Sequence, residues 1–393
     1  MQDNSQKNKF RTPDVILISL SHHIHDIYTA FLAPVQVLII EKLAINYTLF
    51  GLLSVIQRLP TLFNPLVGIL ADKVRIRYLM ILSPTVTAVA MSLIGVAPSY
   101  SFLVLLMLIS GIGSTMFHVP TPVMVKHVSG NRTGRGMSFY MVGGELARTL
   151  GPIVVLGAID LWGFEGIFRL IPAGLLASII LFVRFRHVDL RKQVEKGEQS
   201  VSYMNTLRKY LPVLLIIGSI TLTRGFMKSC LTYYLPGYME SIGESRWMAG
   251  ISLSVIYLSG AAGTFFSGTI SDFIGRRNTL LIVSVISPLL LMIFIYFRGV
   301  FTFPLLIAMG FFLLAPTPVF LAIIHELKTE HLPFVNGLYM TSNFLLGSVS
   351  TLVAGYGFDH FGNEATFKFA AGMALLAIPV TIYIKRRKPF QDH

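Results

Sequence analysis

Long apolar runs separated by short polar segments dominate the chain from residue 14 onward. A bilayer core takes about 20 apolar residues per helix. The pattern predicts twelve such spans, at 14–39, 47–70, 78–97, 101–125, 137–159, 165–184, 209–236, 247–270, 278–297, 301–325, 333–356 and 365–384. We number them spans 1–12. The separators carry helix breakers, as in Ala97-Pro98-Ser99 and Gly357-Phe358-Asp359. The predicted fold class is therefore an all-α integral membrane protein. The residues before span 1 are polar, and the span is too long for a signal-peptide core. It also lacks a small-residue cleavage site, so it is expected to be retained.

Composition fits this reading. Hydrophobic residues make up 53% of the 393, and charged residues only 13%, against about a quarter in soluble proteins. That excludes an ordinary soluble enzyme, a disordered chain and a disulfide scaffold; the single cysteine, Cys230, has no partner within the chain. The net charge of +13 is explained by topology. With both termini in the cytoplasm, 23 of the 32 Lys and Arg fall in cytoplasmic segments, whereas outer loops receive Lys42, Arg169, Arg246, Arg298 and Lys368. This is the positive-inside bias, and nucleic-acid binding need not be invoked.

The chain also repeats itself. Gly68-Ile-Leu-Ala-Asp72 returns as Gly268-Thr-Ile-Ser-Asp272, and Ser54-Val-Ile56 as Ser254-Val-Ile256. Pro120-Thr-Pro-Val123 returns as Pro316-Thr-Pro-Val319, Tyr140-Met141 as Tyr339-Met340, and Asp160-Leu-Trp-Gly163 as Asp359-His-Phe-Gly362. Five matches in order, at offsets of 196–200, indicate a duplication. The expected domains are a six-helix bundle over 1–185, a cytoplasmic linker over 186–208 and a second bundle over 209–393. Each half has an even number of spans, so the repeats run parallel, with a binding site expected between them near the bilayer midplane.

The segment Gly268-Thr-Ile-Ser-Asp-Phe-Ile-Gly-Arg-Arg277 resembles the loop motif of the major facilitator superfamily. The first-half copy keeps Gly68 and Asp72 but has Arg75 in place of the second glycine. The chain further resembles the fosmidomycin-resistance group of bacterial exporters. This likeness is carried by Ser19-Leu-Ser-His22 with Asp26, Pro65-Leu-Val-Gly68, Gly111 through Phe117-His118, and Val142-Gly-Gly144 through Gly151-Pro152. Two departures stand out. Val119-Pro120 follows His118 where the group has Pro-Glu, and Glu145 stands where it has Asn. The resemblance implies a twelve-helix major facilitator fold, alternating access, export and residence in the bacterial cytoplasmic membrane. It also implies a gating clasp at the cytoplasmic helix ends, formed by Asp72, Arg77, Asp272, Arg276 and Arg277.

Ionisable groups at bilayer depth are costly, which makes them functional candidates. Span 1 has His22, His23, His25 and Asp26, and 3.6-residue spacing puts His22 and Asp26 on one face. Arg58 lies in span 2, His118 in span 4, Glu145 and Arg148 in span 5, and Arg224 and Lys228 in span 7. Four cations face two carboxylates, a surplus that favours an anionic ligand; the Arg fork suits carboxylate, phosphate or phosphonate. The expected substrate-binding set is His22, Asp26, Arg58, His118, Glu145, Arg148, Arg224 and Lys228. Asp26, Glu145 and His25 are the proton-coupling candidates, on the expectation that a proton and an anion competing for one Arg give antiport. The prolines at 120/122 and 316/318 predict bends in spans 4 and 10.

The leading reading is a monomeric, proton-coupled exporter of a small anionic drug or metabolite, with no cofactor and no resident metal. Three alternatives use the same features: a divalent-metal transporter built on the span 1 histidines, a lysolipid flippase, and an importer of an organic anion. Hydrolase, zinc-protease and P-loop patterns are absent from the sequence, so an enzyme or an ATP-driven pump is not expected.

Overall fold

The computed structural model describes residues 10–63, 77–188, 203–297, 299, 301–327, 329 and 332–384, and almost all of them are helical. The first half contributes α1 (Thr12–Thr29), α2 (Gln36–Leu43), α3 (Tyr47–Arg58), α4 (Arg77–Ser92), α5 (Tyr100–His118), α6 (Thr121–Ser129), α7 (Thr133–Trp162) and α8 (Ile171–Phe185). The second contributes α9 (Tyr203–Ser229), α10 (Leu235–Ser241), α11 (Arg246–Ile274), α12 (Arg276–Tyr296), α13 (Thr302–Leu314), α14 (Pro316–His325), α15 (Leu332–Phe361), α16 (Asn363–Leu375) and α17 (Ala377–Tyr383). Every predicted span overlaps helix over its described residues, although several spans are broken. Among the described residues, eight helical segments are long and apolar enough to cross a bilayer, one of which, Tyr100–Trp162, runs through spans 4 and 5. Span 2 beyond Phe63 and residues 189–202 of the expected linker lie outside the described residues.

By its contacts the chain divides into two compact units, residues 1–45 with 53–197, and residues 46–52 with 198–393. The first unit is centred on Val15, Ile18, Met80, Ile81, Phe117 and Met124. The second is centred on Val213, Ile217, Ile220, Val319 and Ile323. Large apolar side chains also cover the outside, among them Leu161, Phe265 and Phe273 at 74%, 77% and 84% exposure. Water would not tolerate such a surface over a large contiguous area, but hydrocarbon does.

Prolines set the breaks, since each lacks the N–H that would close a turn four residues back. α5 ends at His118 and α13 at Leu314, just ahead of the repeated Pro-Thr-Pro-Val segments, which open α6 and α14. Within α4, Pro84 leaves the Met80 carbonyl without its helical donor, and the Ser83 hydroxyl supplies one at 3.0 Å. Span 1 departs from its predicted continuous 14–39: α1 stops at Thr29, turns through residues 30–35 around Pro34, and resumes as α2. Apolar periodicity does not register such a turn, because its residues are themselves apolar.

Close approach of α1 and α7 positions the site in the first unit. A Cβ on Gly143 would lie 2.5 Å from the Ser19 carbonyl oxygen, and one on Gly151 2.6 Å from Ala30. Small residues at a helix contact let the backbones come this near.

Candidate functional site

The sequence candidates His22, His25, Asp26 and His118 come together inside the first unit. Asp26 is buried on α1, and its Oδ2 lies 3.2 Å from His22 Nε2. Its Oδ1 lies 3.2 Å from His118 Nε2 at the end of α5 and 3.9 Å from His25 Nε2. One turn of α1 separates His22 from Asp26, so their meeting follows from local geometry. His118 arrives because α5 ends at that residue, ahead of the Pro120 break.

Tyr140 on α7 frames the group, although its sequence signal was only a repeat match with Tyr339. Its carbonyl lies 2.7 Å from His22 Nδ1, and its hydroxyl 3.1 Å from His118 Nδ1. Its ring stacks on His22 at a centroid distance of 4.0 Å, while Phe117 stacks on His25 at 4.5 Å. A carbonyl can only accept, so Nδ1 of His22 carries a proton and the Nε2 side faces the carboxylate. Gly144 makes room for the cluster. A Cβ there would stand 2.6 Å from Cε1 and 2.9 Å from Nε2 of His22. His23 points to the Gly143 carbonyl, 3.1 Å from its Nδ1.

One turn further along α7, Glu145 and Arg148 form an ion pair at 3.0 Å with 27% and 47% of their side chains exposed. Arg148 is the most accessible of these, and His118, at 34%, is exposed about as much as Glu145. Arg58 is partly buried at the last residue of α3.

In the second unit Arg224 is buried, and its guanidinium is hydrogen-bonded within the protein. It donates to the Val283 carbonyl at 3.0 Å, the Ser287 hydroxyl at 3.2 Å and the Phe312 carbonyl at 3.2 Å. Phe312 lies four residues before Pro316, so its carbonyl lacks a helical donor. The guanidinium thus ties α9 to α12 and α13. Lys228, one turn on, is exposed.

Of the gating candidates, Asp72 lies outside the described residues. Arg77 donates to the Val188 carbonyl at 2.5 Å. Gly275 turns the chain between α11 and α12 at φ +88°, a conformation that favours glycine. Arg276 then reaches Asp272 at 2.5 Å and Glu326 at 2.6 Å. Glu326 was missed in the sequence because it sits 50 residues downstream, just past α14. Arg277 is partly buried beside this pair of contacts.

The family model described as Major Facilitator Superfamily matches residues 18–315 and 218–393. The fosmidomycin resistance protein of Escherichia coli (strain K12) is 26% identical over 386 residues, covering 96% of this chain and 94% of that protein. The multi-drug resistance efflux pump PmrA of Streptococcus pneumoniae (strain ATCC BAA-255 / R6) is 21% identical over 232 residues, 58% of each chain. The crystal structure of a bacterial homolog of the human lysosomal transporter Spinster, inward-facing and unoccupied, matches over 95% of both chains. Its TM-score is 0.76 at 12% identity, a likeness of fold alone. The chain belongs to the major facilitator superfamily and is a multi-pass membrane transporter.

Proposed function

We propose that this protein is a proton-coupled exporter of small anionic compounds working by alternating access, with both termini in the cytoplasm. The observation that carries this reading is the Glu145–Arg148 pair on α7, close enough to interact and exposed enough to be reached. Charged groups in spanning helices face the bundle interior or a water-filled path. Arg148 offers the planar fork that a carboxylate or phosphonate takes, and Glu145 is a carboxylate beside it that a proton can enter. Asp26 and His25 suit coupling less well, because at 3% and 0% exposure neither meets solvent directly.

Electrostatics constrains the substrate further. A bare anion on Arg148 would stabilise a proton on Glu145 and travel with it, which is co-transport and runs against the simpler expectation of competition for one Arg. Exchange follows when the substrate also carries a hydrogen-bond donor that occupies Glu145 in the proton's place. A small zwitterion or hydroxylated acid, anionic at one end and donating at the other, meets both conditions. Export is supported by the names of the relatives, a resistance protein and an efflux pump. Arg276, bridging Asp272 and Glu326, supports a cytoplasmic clasp that opens and closes within the cycle.

The test is proton movement in proteoliposomes carrying an internal pH dye, screened with aminoalkyl phosphonates, amino and hydroxy carboxylates, and simple carboxylates. Compounds of the zwitterionic or hydroxylated kind are expected to drive protons in the opposite direction. Glu145→Gln should lose proton movement while retaining counterflow of labelled substrate, and Arg148→Gln should lose both. Undiminished proton exchange in Glu145→Gln would overturn the proposal. Protons moving with a simple carboxylate would instead support the import reading.

A further inference from the structure

The buried group on α1 and α5 has a property that the transport reading does not use. We propose that His22, Asp26 and His118 form a binding site for one divalent transition-metal ion of the zinc class. One ligand atom from each residue lies within 4.8 Å of the other two. The His22 Nε2–Asp26 Oδ2 and His118 Nε2–Asp26 Oδ1 separations are both 3.2 Å. Ligands bound to zinc at 2.0–2.1 Å in a tetrahedron stand about 3.3 Å apart, so each His–Asp contact has the spacing of two ligands on one ion, one through each carboxylate oxygen.

The chemistry of the facing atoms points the same way. With its Nδ1 proton committed to the Tyr140 carbonyl, a neutral His22 presents the Nε2 lone pair toward a carboxylate. His22 Nε2 and Asp26 Oδ1 are both buried without a well-directed hydrogen bond. In the neutral state of His22 a lone pair faces a carboxylate 3.2 Å away, an arrangement that a cation held between them stabilises. Tyr140 supplies the outer support that metal-binding histidines require, its carbonyl on one ring and its hydroxyl on the other. Two imidazoles and one carboxylate favour zinc, nickel, cobalt or copper(II) over the oxygen-seeking magnesium and calcium. His118 is the most exposed of the three, with 34% of its side chain accessible. The nearby cation Arg148 is offset by Glu145 and does not bar a dication.

The site is independent of the anion reading, since neither Glu145 nor Arg148 is a ligand. It is tested on the purified full-length protein in detergent, stripped with chelator. Cobalt(II) is added as a spectroscopic probe and then displaced by zinc, with zinc affinity measured by calorimetry. We expect one equivalent of cobalt with the strong visible bands of a tetrahedral site, bleached by stoichiometric zinc. His118→Gln is the main variant because its partly exposed position leaves folding intact; it should weaken zinc by about tenfold or more. His22→Ala and Asp26→Asn should abolish the cobalt bands. The proposal is overturned if wild type shows no one-to-one binding with those bands. It is equally overturned if a normally eluting His118→Gln protein keeps wild-type affinity.

Discussion

α1 and α9 occupy equivalent places in the two repeats, yet they bury opposite charges in opposite ways. Asp26 and Arg224 lie 198 residues apart, inside the 196–200 range of the repeated motifs. Asp26 is surrounded by side chains, three histidine rings with a tyrosine behind two of them. Arg224 is held largely by backbone, and one of its acceptors is a carbonyl that Pro316 deprives of a helical donor. The duplicated scaffold therefore keeps its breaks while its buried charge diverges. A charge satisfied by side chains can change partners, whereas one satisfied by helix carbonyls is tied to the packing. This is in keeping with the proposed roles of the first unit in transport and metal binding, and with Arg224 as a tie between helices.

The largest effect should come from breaking the side-chain cluster. Asp26→Ala empties the centre of a buried side-chain network, one of the few kinds of change that cost more than about 3 kcal/mol. Thermal unfolding in detergent should show Asp26→Ala as the least stable variant of those considered. A smaller loss than that of Arg224→Met would break the comparison. For Arg224→Met we expect about 1–3 kcal/mol, the cost of leaving a buried acceptor without a donor. Ser287 has one hydroxyl proton, at 2.8 Å from Val283 O and 3.3 Å from Phe312 O, so without Arg224 the Phe312 carbonyl keeps a donor only if that hydroxyl turns to it. Arg224→Lys should recover only part of the loss, because an ammonium does not reproduce the planar fork.

Much of this contrast was legible in the sequence, and the rest was hidden for physical reasons. Apolar runs marked the spans because hydrocarbon imposes length and polarity on every helix, and the Pro-Thr-Pro repeats located the breaks before α6 and α14. His22 with Asp26, and Glu145 with Arg148, were visible because partners three or four residues apart share a helix face. Tyr140 was not, since its carbonyl meets a ring 118 residues away and backbone acceptors carry no residue signature. Arg224 was placed among the ligand groups because intramembrane charge alone does not say whether its donors meet a substrate or a proline-freed carbonyl.

Gly144→Ala sharpens the comparison at the next level down. The added methyl would press on the His22 ring and stand 3.4 Å from Asp26 Oδ2, an overpacking worth about 1–3 kcal/mol. Because the obstacle is a side chain, combining Gly144→Ala with His22→Ala should restore much of the loss, giving a coupling energy of about 0.5–3 kcal/mol. Gly143→Ala meets the Ser19 backbone instead, and His22→Ala should not rescue it. Equal rescue of both glycine variants in a double-mutant cycle would show that α7 as a whole is displaced, and that the histidines do not define a local site.

The smallest effect belongs to the ion pairs around Arg276, where a third of the Glu326 side chain and most of Asp272 are exposed. Such pairs contribute about 0–1 kcal/mol and weaken in salt. Glu326→Gln should therefore leave thermal stability within that range at low ionic strength and indistinguishable from wild type at high salt. Its effect on transport should be larger than its effect on stability, because a clasp acts on the balance between open and closed states. A difference of about 1.4 kcal/mol between those states would change their ratio tenfold. Cysteine accessibility at the C-terminal end of α11, measured with and without Glu326→Gln, checks this directly. Unchanged accessibility with unchanged flux would make Glu326 an ordinary surface partner of Arg276 and leave the α11–α12 turn without a gating role.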